Sequence, residues 1–334
     1  MKYKNIFTYR KRFSNMTTNT DYESITELDL SFQNLKELPN LRLYKNLKKL
    51  NCSYNKLVDL SNENLPLSLQ YLKCNHNNIN TLYIVLPELK QLYCNSNKLI
   101  TLEHLDVFMP SLEILDCSFN NLTILGNLPS NLISLNCSDN KIEKIGKLPD
   151  TITNLCCTLN KLTSLEHLPQ CLKILECSYN LICNLDNLEH QTSLILLGCE
   201  KNKLISLNKL PKTLKTLLCG RNQINSLDNL PQQLISLDCS YNLLTRLDKL
   251  PLSLEILLCN NNLLTSLDNL PLKLIELHCY DNKITNLDNL SAGLENLICI
   301  PNPLKYNFEP TIEKIKNYLN NYKELINSHS IHSK

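Results

Sequence analysis

Leucines and isoleucines recur along the chain in one pattern, L-x-x-L-x-C-x-x-N, followed by further spaced leucines and often by a Leu-Pro step. The pattern occurs fourteen times between Ile25 and Pro303, and nine of the thirteen intervals are 20 residues long. Its first position falls at Ile25, Leu47, Leu69, Leu89, Leu112, Leu132, Ile152, Leu172, Leu194, Leu214, Leu234, Leu254, Leu274 and Leu294. A fixed period of this length indicates a repeat architecture rather than two ordinary globular domains.

Each unit predicts one short β-strand. Positions four and six are two residues apart and point to the core, whereas positions three, five and seven point to the opposite face. One unit cannot bury its apolar side alone, so successive units must stack with their strands parallel, about 4.8 Å apart. Leucines at positions eleven, fourteen and seventeen predict an extended or 3₁₀ return segment. The expected fold is a mostly β repeat solenoid of the α/β class, with a parallel sheet on its concave side and few helices on its convex side.

Position nine is asparagine in thirteen units, and we interpret this column as structural. Where the chain turns inward after the strand, backbone groups are buried without a sheet partner, and a carboxamide can both donate to and accept from them. An amide relay for catalysis is the alternative, but the sequence places no nucleophile or base beside the column. The residues are Asn55, Asn77, Asn97, Asn120, Asn140, Asn160, Asn180, Asn202, Asn222, Asn242, Asn262, Asn282 and Asn302.

The repeat resembles the leucine-rich repeat family from about Ile25 to Pro303. The 20-residue length and the Leu-Pro steps, as at Leu148-Pro149 and Leu250-Pro251, are most similar to the short subtype of secreted bacterial effectors. The cysteine-rich units also resemble repeat proteins of AT-rich protists and giant DNA viruses. The resemblance implies a horseshoe-shaped solenoid that acts in protein interaction and in the contact between host and pathogen.

Composition removes several other classes of protein. The formal net charge is only +2, which gives no general attraction for nucleic acid or acidic lipid. The five glycines are too dispersed to cradle a phosphate, which argues against nucleotide-binding enzymes. The longest apolar runs fall far short of the roughly 20 residues that span a bilayer. We therefore predict no nucleic acid, membrane, cofactor or small-molecule substrate.

Thirteen of the sixteen cysteines occupy position six, where a leucine would also fit. We expect them to be buried, reduced and free of metal, because a straight column cannot place four thiolates around one zinc ion. In-register neighbours are also spaced too widely for an unstrained disulfide. So many unpaired thiols favour a reducing compartment such as the cytoplasm, or the host cytoplasm if the source is viral. Cys156, at outward position five, is the only plausible exposed reactive thiol in this interpretation.

Both ends of the solenoid expose core residues and need capping elements, of which only the C-terminal cap can be identified from the sequence. Pro310 opens an amphipathic stretch that predicts a capping helix, with Ile312, Ile315, Leu319, Tyr322 and Leu325 at helical spacing. A partner-binding helix is the alternative. Residues 1–24 form a basic arm that we expect to be disordered, although an organelle presequence is also compatible. The predicted division is therefore an arm at 1–24, a solenoid at 25–303, and a capping helix with tail at 304–334.

Binding function is expected at the outward positions of the strands, because packing fixes the inward ones. Aromatic residues recur at position eight, and apolar residues form an outward stripe near the C-terminus that includes Leu196, Ile256 and Ile300. Such side chains are typical protein anchors, although the aromatics could instead pack over neighbouring repeats. The partner-binding candidates are Phe32, Tyr54, Tyr71, Tyr93, Phe119, Tyr179, Leu218, Tyr241, Leu258, Tyr280 and Ile298.

We therefore expect a non-catalytic module that binds a protein partner on its concave surface. The seven histidines are scattered, and the recurring aspartates of the return segment occur only once per repeat, so the sequence does not support an enzyme. The alternative is a substrate-recognition or regulatory subunit of a ubiquitin-ligase or phosphatase assembly. The identity of the bound proteins would distinguish these two functions.

Overall fold

The computed structural model describes residues 22–331, with side chains described for 22–321. Fourteen three-residue strands form one parallel sheet, in which sequence order is also spatial order. In chain order, β1 to β14 are Glu27–Asp29, Lys49–Asn51, Tyr71–Lys73, Gln91–Tyr93, Ile114–Asp116, Ser134–Asn136, Asn154–Cys156, Ile174–Glu176, Leu196–Gly198, Thr216–Leu218, Ser236–Asp238, Ile256–Leu258, Glu276–His278 and Asn296–Ile298. The predicted parallel solenoid, with one strand per unit, is confirmed.

The strands pair in the register that the repeat predicts. Each strand covers positions three to five of its unit, and equivalent residues face each other, as Leu217 of β10 faces Leu197 of β9 and Leu237 of β11. Backbone hydrogen bonds continue past the strand, since the Cys219 N–H donates to the Asp238 carbonyl at 2.7 Å. Position four therefore always points inward, which fixes the outward face at positions three, five and seven.

Leucine, isoleucine and cysteine columns fill the interior of the solenoid. In the tenth unit, for example, Leu214, Leu217 and Cys219 have no exposed surface. Each column contacts its own equivalents in the neighbouring repeats, so the core is a continuous stack with no break between units. Truncating one such leucine to alanine typically costs about 2–5 kcal/mol of stability.

Helical turns occur on the convex side in two of the four units that are longer than 20 residues. Helix α1, Leu105–Phe108, lies in the 23-residue unit, and a 3₁₀ helix at Asp186–His190 lies in a 22-residue unit. A second 3₁₀ helix, Tyr22–Ser24, precedes β1. The extra residues are wound into turns, so the strands that follow keep their register. Few helices were expected on this side.

Helix α2, Ile312–Ile331, follows the last repeat. Ile315 is fully buried in the core cluster, and Ile312 and Leu319 pack partly against it. The side chains of Tyr322 and Leu325, and residues 1–21 of the expected basic arm, lie outside the described part of the chain. The division into arm, solenoid and cap stays a prediction. No helix within residues 22–331 is long and apolar enough to cross a membrane.

Candidate functional site

The asparagine column forms a hydrogen-bonded ladder between repeats. Asn180 Nδ2 donates to the Cys157 and Cys177 carbonyl oxygens, both at 3.0 Å, and its Oδ1 accepts the Leu162 N–H at 2.9 Å. One side chain thus satisfies backbone groups of two consecutive units. The structural interpretation of this column is confirmed, because its amides bind the backbone of the solenoid.

The cysteine column is also part of the scaffold. Burial raises the pKa of the Cys219 thiol well above its ordinary value of 9.0, and the neighbouring column thiols raise it further. Burial also raises the pKa of Cys52, to about 12. All sixteen cysteines are free thiols. Among the described residues no group of three or more His, Cys, Asp and Glu side chains could hold a metal ion.

Three thiols lie outside the column, and one expectation about them is wrong. Cys156 was expected to be the only plausible exposed thiol, but it is half-buried, with its Sγ 3.0 Å from Ser138 Oγ. Cys183, on the return segment after β8, is exposed instead. Strand alternation places Cys156 outward, but adjacent strands cover the flanks of every outward side chain. The alternation does not extend to the return segment where Cys183 lies.

Position eight has a backbone feature that the pattern did not predict. In thirteen of the fourteen units this residue is left-handed, with φ between 48° and 57°. Bulky side chains rarely adopt this conformation, which costs roughly 1–2 kcal/mol. The left-handed turn brings the side chains into one row along the rim of the sheet, which we call the rim row. Its aromatic members are Phe32, Tyr54, His76, Phe119, Tyr179 and Tyr241.

Several rings of the rim row stack on one another and still remain accessible. Tyr54 lies between Phe32 and His76, with ring centroids 4.4 and 4.3 Å apart. Cations take the same place further along, where Lys201 lies over Tyr179 and Arg221 over Tyr241. Phe32 nevertheless keeps 64% of its surface exposed. Packing and accessibility therefore coexist in this row.

The remaining candidates lie on the concave face in two separate groups. Tyr71 and Tyr93 contact each other near the N-terminal end, with ring centroids 5.4 Å apart. Leu218, Leu258 and Tyr280 are half-buried in the C-terminal half. Ile298 and Ile300, at the last strand, are exposed. The outward apolar stripe is thus half-covered by its neighbours rather than fully open, except at its C-terminal end.

Several outward polar residues are held by local hydrogen bonds that the sequence analysis missed. The Asp116 carboxylate accepts the N–H of Ser118 at 3.1 Å and its hydroxyl at 2.6 Å. The same arrangement joins positions five and seven at Asp29, Asn51 and Asn136. The visible signal was Asp or Asn followed two residues later by Ser. These side chains support the turn after the strand.

An acidic group in the middle of the concave face was also missed. Burial and the charge of Glu200 raise the pKa of Glu176. Burial and the charge of Asp238 likewise raise the pKa of Glu200, against the opposing effect of Arg221. The signal in the sequence was glycine in place of a side chain, at Gly198 in position five and at Gly220 in position seven. The next two subsections consider what this face binds.

Comparison with known proteins gives a consistent result. No family model matches the sequence, and no curated protein matches it. Among solved structures, YopM of Yersinia pestis, described as a leucine-rich effector protein, is 31% identical with a TM-score of 0.73, over 84% of this chain and 78% of that one. YopM of Yersinia enterocolitica WA-314 is 31% identical with a TM-score of 0.70, over 84% of this chain and 65% of that one.

The cysteine column has a counterpart in a third solved structure. InlJ of Listeria monocytogenes, whose functional domain is described as including a cysteine ladder, is 28% identical with a TM-score of 0.73. The alignment covers 85% of this chain and 65% of that one. The chain thus spans about two thirds of InlJ and of the Yersinia enterocolitica protein. Its period, its in-register parallel sheet and its asparagine ladder agree with these likenesses, and the chain belongs to the leucine-rich repeat family.

Proposed function

We propose that the chain is a non-catalytic interaction module that holds a protein partner on its concave sheet. The observation that carries this proposal is the outward row of positions three, five and seven on fourteen parallel strands. Leu218 and Leu258 lie on this row with part of their apolar surface open, and Ile298 and Ile300 extend it. Apolar side chains without a cover on one face are typical of a protein-binding surface.

The effector description of the Yersinia pestis relative supports the same proposal. We extend this role to the present chain, as a binding module in the contact between a pathogen and its host. The scaffold columns are internally satisfied, so the outward residues decide which partner is bound.

Two paired variants test the concave site. The double variant Leu218→Lys with Leu258→Lys places charges on the outward row, where a bound apolar surface would leave them unpaired. The matched control is Leu252→Lys with Leu272→Lys, two leucines of the return segments that are 78% and 84% exposed. Both proteins are immobilised, and the proteins retained from a host-cell lysate are quantified by mass spectrometry.

The first variant should fold normally and lose the main retained protein, whereas the control should keep it. If both variants retain it equally, the concave row is not the site. Ligase or phosphatase subunits among the lost proteins would favour a role as their recognition subunit over a simple interaction module.

We further propose a reducing compartment, the cytoplasm or the host cytoplasm, as the place of action. Sixteen free cysteines in one chain support this proposal. Protein purified anaerobically should show few reactive thiols when native and nearly sixteen after denaturation, by titration with Ellman's reagent. A clearly lower denatured count would indicate disulfides and an oxidising environment.

A further inference from the structure

Within the described residues, the outward positions of the central concave face carry negative charge and no cation of their own. Over strands β4 to β12, positions three, five and seven contain four carboxylates and no Lys, Arg or His. Three of these carboxylates, Glu176, Glu200 and Asp238, belong to neighbouring units around β9. Within the described residues none of the three makes an ion pair. Arg221, the cation that acts on Glu200, lies instead over the Tyr241 ring, 4.3 Å from its centroid.

Glycines at two outward positions leave space close to the sheet beside these carboxylates. A Cβ atom at Gly198 would collide with the carboxylate of Glu176, which covers that glycine. A Cβ at Gly220 would lie 3.4 Å from Asp238 Oδ1 and 3.0 Å from Ser240 Oγ. A side chain at position 198 would displace the Glu176 carboxylate, and one at position 220 would crowd the Ser240 hydroxyl beside Asp238. The glycines thus form a shallow acidic depression whose floor is the sheet backbone.

Apolar side chains alternate with the acids in the same row. The register places Glu176, Gly198, Leu218, Asp238 and Leu258 side by side on five consecutive strands. Three strand spacings of about 4.8 Å put the Cα atoms of Glu176 and Asp238 about 14 Å apart, with Leu218 between them. The Glu176 carboxylate leans over Gly198, so the two carboxylates lie closer together than their Cα atoms. An extended peptide advances about 14 Å over four residues and presents every second side chain to one side.

We propose that this row binds a basic segment of the protein partner, in which two Lys or Arg residues four positions apart flank an apolar residue. The cations lie against Glu176 and Asp238, with Glu200 beside them, and the apolar residue covers Leu218. The inference rests on the proposed function and names the chemistry of the partner. The three carboxylates repel one another and are only partly offset by Arg221 at Glu200, and a basic partner removes this repulsion on binding.

Peptide binding tests the proposal directly. The probe is a fluorescein-labelled peptide of the pattern Lys-Ser-Leu-Ser-Lys with flanking Gly and Ser, followed by fluorescence anisotropy on the full chain. Its comparison peptides replace both lysines by Glu, or the leucine by Ser. The lysine–leucine peptide should bind and weaken with added salt, and each comparison peptide should bind at least about tenfold more weakly.

Two triple variants locate the site. Glu176→Gln, Glu200→Gln and Asp238→Asn together remove the acidic row, and should weaken the lysine–leucine peptide at least about tenfold. The control triple, Glu63→Gln, Glu143→Gln and Asp268→Asn, removes the same charge from exposed return segments and should leave binding unchanged. Thermal melts confirm that both proteins are folded.

Four outcomes would overturn the proposal: no binding of the lysine–leucine peptide, equal loss in both triples, equal binding of the Glu peptide, or equally tight binding of spermine alone. If the lysine–leucine peptide does not bind but the double variant Leu218→Lys with Leu258→Lys still loses the retained protein, the proposed function stands and only the basic segment is wrong. If that retention also persists, the concave site itself is wrong.

Discussion

Raising the pH above 9 should unfold the solenoid, because its buried thiols cannot ionise in place. Twelve column thiols, from Cys52 to Cys279, have their pKa raised above the ordinary 9.0, with desolvation as the largest cause at each. In the unfolded chain the same thiols lose their protons near pH 9. The unfolded state then binds fewer protons than the native state, so the free energy of unfolding falls as the pH rises.

The size of this effect follows from the number of thiols. Between pH 8 and pH 10, each thiol that ionises only on unfolding lowers the free energy of unfolding by about 1.4 kcal/mol. For the twelve thiols together the loss is roughly 16 kcal/mol, which matches or exceeds the typical stability of a domain, roughly 5–15 kcal/mol. The loss is below about 1 kcal/mol at pH 8 and reaches about 5 kcal/mol at pH 9.

Circular dichroism and thiolate absorbance at 240 nm, recorded together against pH in the presence of reductant, provide the assay. Both signals should change in one step between about pH 9 and pH 10, and return when the pH is lowered. Replacing Cys219, Cys239 and Cys259 by alanine should reduce the pH dependence of the unfolding free energy by about a quarter. Cys183→Ala should leave it unchanged, because this thiol is exposed in the folded state. A rise in absorbance that corresponds to twelve thiolates near pH 9, while the dichroism stays native, would refute the reasoning.

Three further predictions concern single side chains. Asn180→Ala should lower stability by about 1–3 kcal/mol, because the Leu162 N–H loses its acceptor and the Cys157 and Cys177 carbonyls each lose one of two asparagine donors. Exposed Lys203→Ala should cost less than about 0.5 kcal/mol; equal shifts in urea melts would contradict the ladder. Leu217→Ala should cost about 2–5 kcal/mol and Leu218→Ala clearly less, also by urea melts; the reverse order would mean that the strand register is wrong. Glu176→Gln should stabilise the protein at pH 7. In the wild type, the raised pKa of Glu176 makes stability fall as the pH rises from the ordinary 4.5 through the folded value. Thermal melts should therefore show a smaller rise in melting temperature on acidification in the variant than in the wild type. An equal rise in both proteins would exclude Glu176 as its cause.

The fold was predictable because its determinants repeat. Leu217 and Asn180 belong to columns that recur at fixed spacing, so strand, register and ladder could be predicted from the repeat alone. The left-handed turn at Tyr54 was not predictable in this way, since aromatic residues rarely take that conformation and nothing in the composition signals it. The exposure of Cys183 could also have been predicted, because Ile182, Leu185 and Leu188 of its return segment are buried at a spacing of three residues and Cys183 lies between two of them.

The binding surface was predictable only in outline. The alternation places Leu218 outward, but how much of it remains open depends on the side chains of the adjacent strands. The acidic depression requires Glu176 to lie over Gly198, a contact between residues of different units. A column-by-column comparison separates scaffold from variable positions, but it does not show which variable residues act together.

The uniform pairing of the asparagine ladder bears on how the gene for such a protein can change. Asn242 reaches back to the Cys219 carbonyl, and Asn262 reaches back to the Cys239 carbonyl, with the same geometry at 3.0 Å. Loss of residues 234–253 would therefore bring Asn262 to the Cys219 carbonyl without creating an unpaired group. Unequal recombination between the repeated DNA segments can then lengthen or shorten the solenoid in whole units. Each such event adds or removes one set of outward side chains, so the binding surface can change while the fold stays stable.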